Sequence, residues 1–416
     1  MALSFEYKNP WSPLTKWVFR FLFIYVLLYI VLMFGGNRLL EPLLVWVGRD
    51  ILQMDGRLEF FVTGSGDTTM AYVSLFIQAI LTIIGATIWS LLDAKRPSYN
   101  VVFYWFTVLL RIYLIFFMFT YGFAKIYKTQ FAGPSLMRLI QPLGEMSPMG
   151  LAWTYMAQSE GFNIFTGFME VLGGLLLIPK RTQALGGLII AGVMLQVFMM
   201  NMFYDIPVKL FSAHLMIFGL IIFFFDFKRF YNVFIVNKPT EAINYYVPTK
   251  EKLYQKIIVG VKCVALVGLV ALFSFQGYST ERSYGDKREK PPLYGIWEVT
   301  TFVKDGDTLA PLTTDADRWR YLVIDRKGRA GIKMMDDQRQ YIEFTPDSTL
   351  STVLVSWPNT TLTGDLNITQ KDSTHLNLKG TISEFQYDIS FKAKDLSKIL
   401  LINRGFHWIN ETPFNR

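Results

Sequence analysis

Seven stretches of the chain stay apolar for about 20 residues, enough for a helix rising about 1.5 Å per residue to cross a hydrocarbon core. They cover residues 17–34, 69–92, 101–123, 161–179, 183–203, 207–225 and 253–275. A Leu- and Trp-containing segment at 37–52 follows the first and suits an interfacial position. Beyond residue 295 the period changes to two: "IWEVTTFV", "RYLVID", "RAGIKM", "QYIEFTP", "TVLVSW", "GDLNITQ", "HLNLKGTI", "FQYDISFKA" and "KILLINRGF" alternate apolar with polar positions. Turn residues such as Lys304-Asp305-Gly306, Arg326-Lys327-Gly328, Pro346-Asp347 and Lys371-Asp372-Ser373 separate them. The pattern predicts a polytopic α-helical membrane protein joined to a C-terminal antiparallel β-barrel of eight or nine strands.

Charge assigns the sides. Lys95 and Arg96, Lys180 and Arg181, and Lys228 and Arg229 fall in alternate connections, and Lys238, Lys250 and Lys252 add to the last of these. By the positive-inside rule these loops are cytoplasmic, as is the N-terminus with Lys8 and Lys16. An odd number of spans then puts the β domain outside, periplasmic or extracellular, on an inner (cytoplasmic) membrane protein. The first apolar run is too long for a cleavable signal peptide and lacks a small-residue cleavage site. The expected order is two helices with the interfacial segment in 1–100, four helices in 101–226 with an outer insertion at 126–160, and a cytoplasmic loop at 227–252. A seventh span at 253–275, a polar linker at 276–294 and the β domain at 295–416 complete it.

Composition agrees with that order. Of 416 residues 52% are hydrophobic and 18% charged, and the mean hydropathy is +0.30. The net charge of +8 lies mostly at the ends of apolar runs, so it argues for orientation and not for nucleic acid. The single Cys263 excludes an intrachain disulfide.

Within the apolar runs a few polar residues stand out. Glu170 lies about 13 Å below the outer face, His214 about 10 Å, and Gln78 and Gln196 at about 10 to 14 Å. Arg111 sits somewhat deeper, and Tyr121 and Lys125 close the third helix at the outer surface. Five spans thus contribute to one polar layer, and a carboxylate buried there requires an offsetting partner. Arg111 is the expected partner of Glu170, with His214 joining by a hydrogen bond. The layer reads either as a ligand or proton pocket or as an ion pair that fixes helix register. Gly173-Gly174 and Gly186-Gly187 promise close helix approach, and Asp205 with Lys209 beside Pro207 reads as a helix-start anchor.

"RIYLIFFMFTYGFAKIY" followed by "GFMEVLGGLLLIPKRTQALGGLIIAGVML" resembles the DoxX superfamily. That family's four-helix unit carries an arginine, a G-x-x-K and an E-x-x-G-G-L-L-L, which here fall on Arg111, Gly122 with Lys125, and Glu170 with Gly173 and Gly174. The resemblance covers residues 101–225; the insertion at 126–160 and three further spans depart from it. It implies a quinone as cofactor or ligand and an oxidoreductase or membrane-complex partner. The C-terminal domain resembles a lipocalin-type barrel through Gly295 and Trp297, and the resemblance implies that Arg404 packs across Trp297.

Three functions stay open: a quinone-linked redox subunit, a binding or transfer protein for a lipid or other apolar ligand, and an assembly scaffold. The filling of the barrel by Trp319, Trp357 and Phe385 decides between a cup and a solid domain. His375 and His407 lack metal spacing, so no metal site is expected. Asn359, Asn367 and Asn410 head Asn-x-Thr sequons. No nucleotide-binding or hydrolase motif occurs.

Overall fold

The computed structural model describes residues 10–60, 64–240 and 251–415, so Lys8 and Lys250, counted above among the orienting charges, lie outside the described residues. The chain divides into two compact units, Met1–Gln130 with Gly161–Ser279, and Phe131–Glu160 with Thr280–Arg416. The insertion therefore belongs to the same unit as the β domain, a grouping that sequence order conceals.

The first unit is helical: α1 Pro13–Val31, α2 Thr69–Leu92 and α3 Asn100–Ile126, then α5 Glu160–Leu177, α6 Gln183–Phe203, α7 Lys209–Phe224 and α8 Lys252–Ser283; α4 Pro148–Gln158 belongs to the second unit. Local chemistry sets the starts. Ser12 Oγ accepts from Thr15 N at 3.1 Å ahead of Pro13, and Thr68 Oγ1 from Ala71 N at 3.2 Å, each satisfying a first-turn donor. Gly35, at φ +110°, provides the left-handed backbone that bends the chain at the end of α1. Among the described residues five helices are long and apolar enough to cross a membrane: Pro13–Leu39, Thr69–Leu92, Asn100–Ile126, Gln183–Phe203 and Lys252–Ser283. A sixth is reached if α7 and Phe227–Ile235, bent by 68°, form one span. The segment expected at 161–179 is the 18-residue helix α5, less apolar than the others because it carries Glu160, Asn163 and Glu170. The interfacial segment at 37–52 is helical over Glu41–Trp46.

Glycines set the spacing of the helices. A Cβ at Gly187 would meet Gly219 O at 2.7 Å and one at Gly219 would meet Gly187 O at 2.9 Å, so α6 and α7 touch backbone to backbone. Gly186 fits in the same way against Gly173 O, at 3.0 Å, between α6 and α5.

In the second unit eight strands form an up-and-down barrel: β1 Gly295–Lys304, β2 Trp319–Arg326, β3 Gly328–Met334, β4 Arg339–Pro346, β5 Thr352–Ser356, β6 Thr363–Asp372, β7 His375–Ile382 and β8 Phe385–Ala393. Each pairs antiparallel with the next, and β1 closes on β8 from Trp297 opposite Ala393 to Lys304 opposite Tyr387. A ninth segment, "KILLINRGF", is not a strand: once β8 has paired with β1 no edge remains for it, and it forms a short helix at Leu400–Asn403. The residues read as a linker are half helix, since α8 runs to Ser283, and the remainder is tied down where Arg288 bonds Asp325 and Gly133 N donates to Asp286.

The barrel interior is solid. Trp297, Phe302, Trp319, Phe344 and Phe391 are buried in one apolar cluster with aliphatic residues from every strand. Of the three bulky residues that decide the filling, Trp319 points in, Trp357 packs half-buried against the cluster and Phe385 is exposed. The second face of β2 is buried as well. Tyr321 and Val323 pack with Ile296 against Leu136 and Met137 of the insertion, and Lys333 Nζ donates to Ile140 O at 3.2 Å.

Candidate functional site

Helices α3 and α5 cross at two glycines. A Cβ at Gly167 would lie 2.5 Å from Gly122 O, and one at Gly122 would lie 2.8 Å from Gly167 O. Lys125 stands three residues after Gly122 and Glu170 three residues after Gly167. The helices run in opposite senses, and helical side chains lean toward their own N-termini. Both side chains therefore lean back over the crossing and meet there. Lys125 Nζ donates to Glu170 Oε1 at 2.8 Å and to Oε2 at 2.9 Å, with the two side chains only 6% and 1% exposed. The Tyr121 ring lies 5.7 Å from the same ammonium.

Arg111 is not the partner of Glu170. It precedes Lys125 by 14 residues on α3, about 21 Å along the axis. Its Nε donates to Leu177 O at 2.6 Å and its Nη2 to Ile178 O. The end of α5 leaves carbonyls without intrahelical partners, and a guanidinium at that depth satisfies them. Lys125, expected at the outer surface, is buried because the glycine crossing brings α5 over it.

His214 belongs to a separate group. In the neutral ring Nδ1–H donates to Leu210 O at 2.6 Å, leaving Nε2 to accept from the Tyr25 hydroxyl at 2.8 Å. Tyr29 stacks on the imidazole with centroids 3.9 Å apart, and Gln78 Nε2 donates to Tyr25 O at 3.1 Å. Gln78 is thus an interhelical bond on the same level as His214. Gln196 is exposed on the outside of α6, because its helical phase points away from the buried stripe of Ile190, Met194 and Asn201. The expected single layer resolves into two groups, Lys125–Glu170–Tyr121 and Gln78–Tyr25–His214–Tyr29. Asp67 is a further polar residue, a helix cap, that pattern reading passes over. Its carboxylate accepts from Lys209 N at 2.7 Å and Leu210 N at 3.0 Å, capping α7, while Lys209 also bonds Asp205 at 3.1 Å.

In the barrel, Trp297 Nε1 donates to Leu293 O at 2.8 Å inside the core. Arg404 does not cross it: its Nη2 bonds Asn410 Oδ1 at 2.8 Å and its guanidinium lies 4.0 Å from the Phe414 ring. The absence of the ninth strand removes the element that would have carried Arg404 to the barrel end. Sequence reasoning also missed Tyr25 and Tyr29. Their i, i+4 spacing on α1 gave the signal, but aromatic residues are common throughout that span.

Chemically, the two groups hold a paired carboxylate, a paired ammonium and an imidazole bonded at both nitrogens. Over 133 aligned residues the chain is 32% identical to a protein of Bacillus subtilis (strain 168) named "Uncharacterized protein YwoB", and the match covers 30% of this chain and 79% of that protein. No protein-family model matches the chain. No solved structure matches it.

Proposed function

Because the chain belongs to the family of the Bacillus subtilis protein YwoB, whose name assigns no activity, we propose from its own geometry that it is a membrane-embedded assembly scaffold. The observation that carries this reading is that the surroundings of Glu170 and the barrel interior are both filled by the chain's own side chains. Lys125 takes both oxygens of Glu170, and Trp297 with Trp319 occupies the barrel interior. A buried ion pair at a glycine crossing fixes how α3 and α5 meet, which is the work of a register lock. The resemblance of residues 101–225 to the DoxX four-helix unit adds a class of partner, an oxidoreductase or other membrane complex.

A second reading, a quinone-linked subunit, draws on the stack of Tyr29 and His214 at 3.9 Å. A quinone ring could take the place of Tyr29 and hydrogen-bond to Tyr25. The reading in which the barrel carries a lipid across loses its support with the filled interior.

The test extracts apolar molecules from the full chain purified in mild detergent, beside Glu170→Gln, and sizes the complex in native membranes. The scaffold reading expects no stoichiometric quinone in either protein. It also expects a native assembly larger than the chain's 48.0 kDa, weakened by Tyr341→Asp and Leu354→Asp on the exposed barrel wall. Stoichiometric quinone in the wild type would sink it in favour of the redox reading.

A further inference from the structure

Within the second unit, residues 139–142 of the insertion and the outer face of the barrel border a cleft of about 180 Å³. A bulge shapes its barrel wall. Trp319 and Tyr321 of β2 oppose the consecutive residues Met334 and Lys333 of β3, so Arg320 is an extra residue in the ladder. It shares the outer face with Tyr321, and its guanidinium carbon lies 5.5 Å from the centre of that ring. Lys394, the residue after β8, is held by its backbone N–H on Ile296 O at 2.8 Å and brings its ammonium to 5.3 Å from the same ring. Lys333 is the third cation. Its side chain is 4% exposed, donates to Ile140 O at 3.2 Å and pairs with Asp337 Oδ1 at 2.8 Å. Arg320 reaches that same oxygen at 3.3 Å. Measured contacts to one tyrosine ring and one carboxylate oxygen thus tie three cations together. A second carboxylate nearby, Glu298, accepts from the Tyr321 hydroxyl at 3.4 Å and has Lys392 opposite it on β8.

We propose that this cleft binds a phosphate monoester. Arg320, Lys333 and Lys394 line it with Asp337 as their one carboxylate neighbour in the wall, which leaves an excess of positive charge. A phosphate monoester carries about −1.5 to −2 at pH 7 and matches that excess, where a single carboxylate would not. Arg320 gives one of its guanidinium nitrogens to Asp337 and keeps further donors for phosphate oxygens, and Lys394 adds an ammonium. The insertion side of the cleft is apolar, with Leu139, Ile140 and Pro142, and suits the carbon part of an ester. The volume lies below the roughly 300 Å³ at which pockets begin to hold drug-sized ligands, so the phosphate and a few attached carbons are what enters. Such a group is carried by a small free ester or by the headgroup of phosphatidic acid. The inference does not depend on the scaffold reading, since the cleft shares no residue with the Lys125–Glu170 pair or the barrel interior.

Isothermal titration of the full chain in phosphatidylcholine nanodiscs with glycerol 3-phosphate tests it. Binding is expected to be about tenfold tighter than that of glycerate, a monocarboxylate of similar size, and about tenfold weaker in Arg320→Gln with Lys394→Gln. Lys333 is left in place, because its loss would strand Ile140 O and Asp337. Lys327→Gln with Lys371→Gln, exposed elsewhere on the barrel, is the control and is expected to bind as the wild type does. The same titration in nanodiscs containing phosphatidic acid separates the two sources: an unchanged affinity assigns a free ester, and competition assigns the lipid headgroup. No binding by the wild type would overturn the proposal. So would glycerate binding as tightly, an unchanged affinity in the Arg320 and Lys394 variant, or an equal loss in the control. If the double substitution shifts the thermal transition, Lys394→Gln alone, at a half-buried position after β8, is read against the same expectation of weaker binding.

Discussion

Glu170→Gln leaves the buried Lys125 ammonium facing a neutral amide, and an uncompensated buried charge costs about 3–5 kcal/mol. The variant is expected to lose stability of that order in detergent unfolding, and Lys125→Met with Glu170→Leu to recover most of it. Arg111→Gln combined with Glu170→Gln should be additive to within about 0.5 kcal/mol, because the two groups share no partner. A strong coupling between them would instead restore the pairing expected from sequence. The need for a cation at Glu170 was legible from hydropathy alone. Which cation was not, since depth counting ignores the lean of helical side chains and the nearness of α3 and α5. A second residue-scale expectation concerns Asp337 on the barrel. Lys333 hydrogen-bonds it at 2.8 Å, and with Arg320 it holds the carboxyl below its ordinary value. The folded value lies below the unfolded one, so its contribution to stability is present above about pH 4 and fades as pH falls through the folded value. The stability difference between wild type and Asp337→Asn is therefore expected to shrink as pH drops below about 4 in denaturant titrations.

At the scale of elements, the glycine crossing and the two-faced strand carry most of the consequence. Gly167→Leu pushes a side chain into Gly122 O, backbone that cannot move aside, so α3 and α5 must separate. The expected result is loss of the Lys125–Glu170 pair, seen as a variant in which Glu170→Gln no longer adds destabilisation. The run "RYLVID" is continuous where an alternating strand was expected, which is how a strand buried on both faces reads. The structure supplies the second cover in Leu136 and Met137. Leu136→Asp should therefore release residues 131–160 to limited proteolysis while the barrel core stays protected. Eight strands were legible because half-buried strands alternate; the ninth was not one, since closure of β1 on β8 depends on pairing across the whole domain and leaves no trace in local period. The grouping of the insertion with the barrel was equally hidden, because the contact joins segments more than 130 residues apart.

That contact constrains the path of the whole chain. Residues 131–160 and the barrel form one unit, so both lie on the same side of any membrane, and the chain between them must cross an even number of times. Four helices lie between: α5, α6, α7 with its bent continuation, and α8. Helices α6 and α8 are long and apolar enough to cross. Parity then requires that α5 and α7 either both cross or both stay. The glycine contacts of α5 with α3 and α6, and of α6 with α7, pack these helices side by side, which favours crossing by both despite the polar residues on α5. The expected outcome follows for single cysteines in a Cys263→Ser background. Gly144→Cys and Leu312→Cys, in an exposed turn of the insertion and an exposed barrel loop, should react with an impermeant maleimide from the same side. Arg181→Cys, in the turn between α5 and α6, should react only after permeabilisation. If Arg181→Cys labels with the other two, α5 does not cross. Glu170 would then no longer be a carboxylate held within a membrane, and the reading of its pair with Lys125 as a lock inside the bilayer would fall with it.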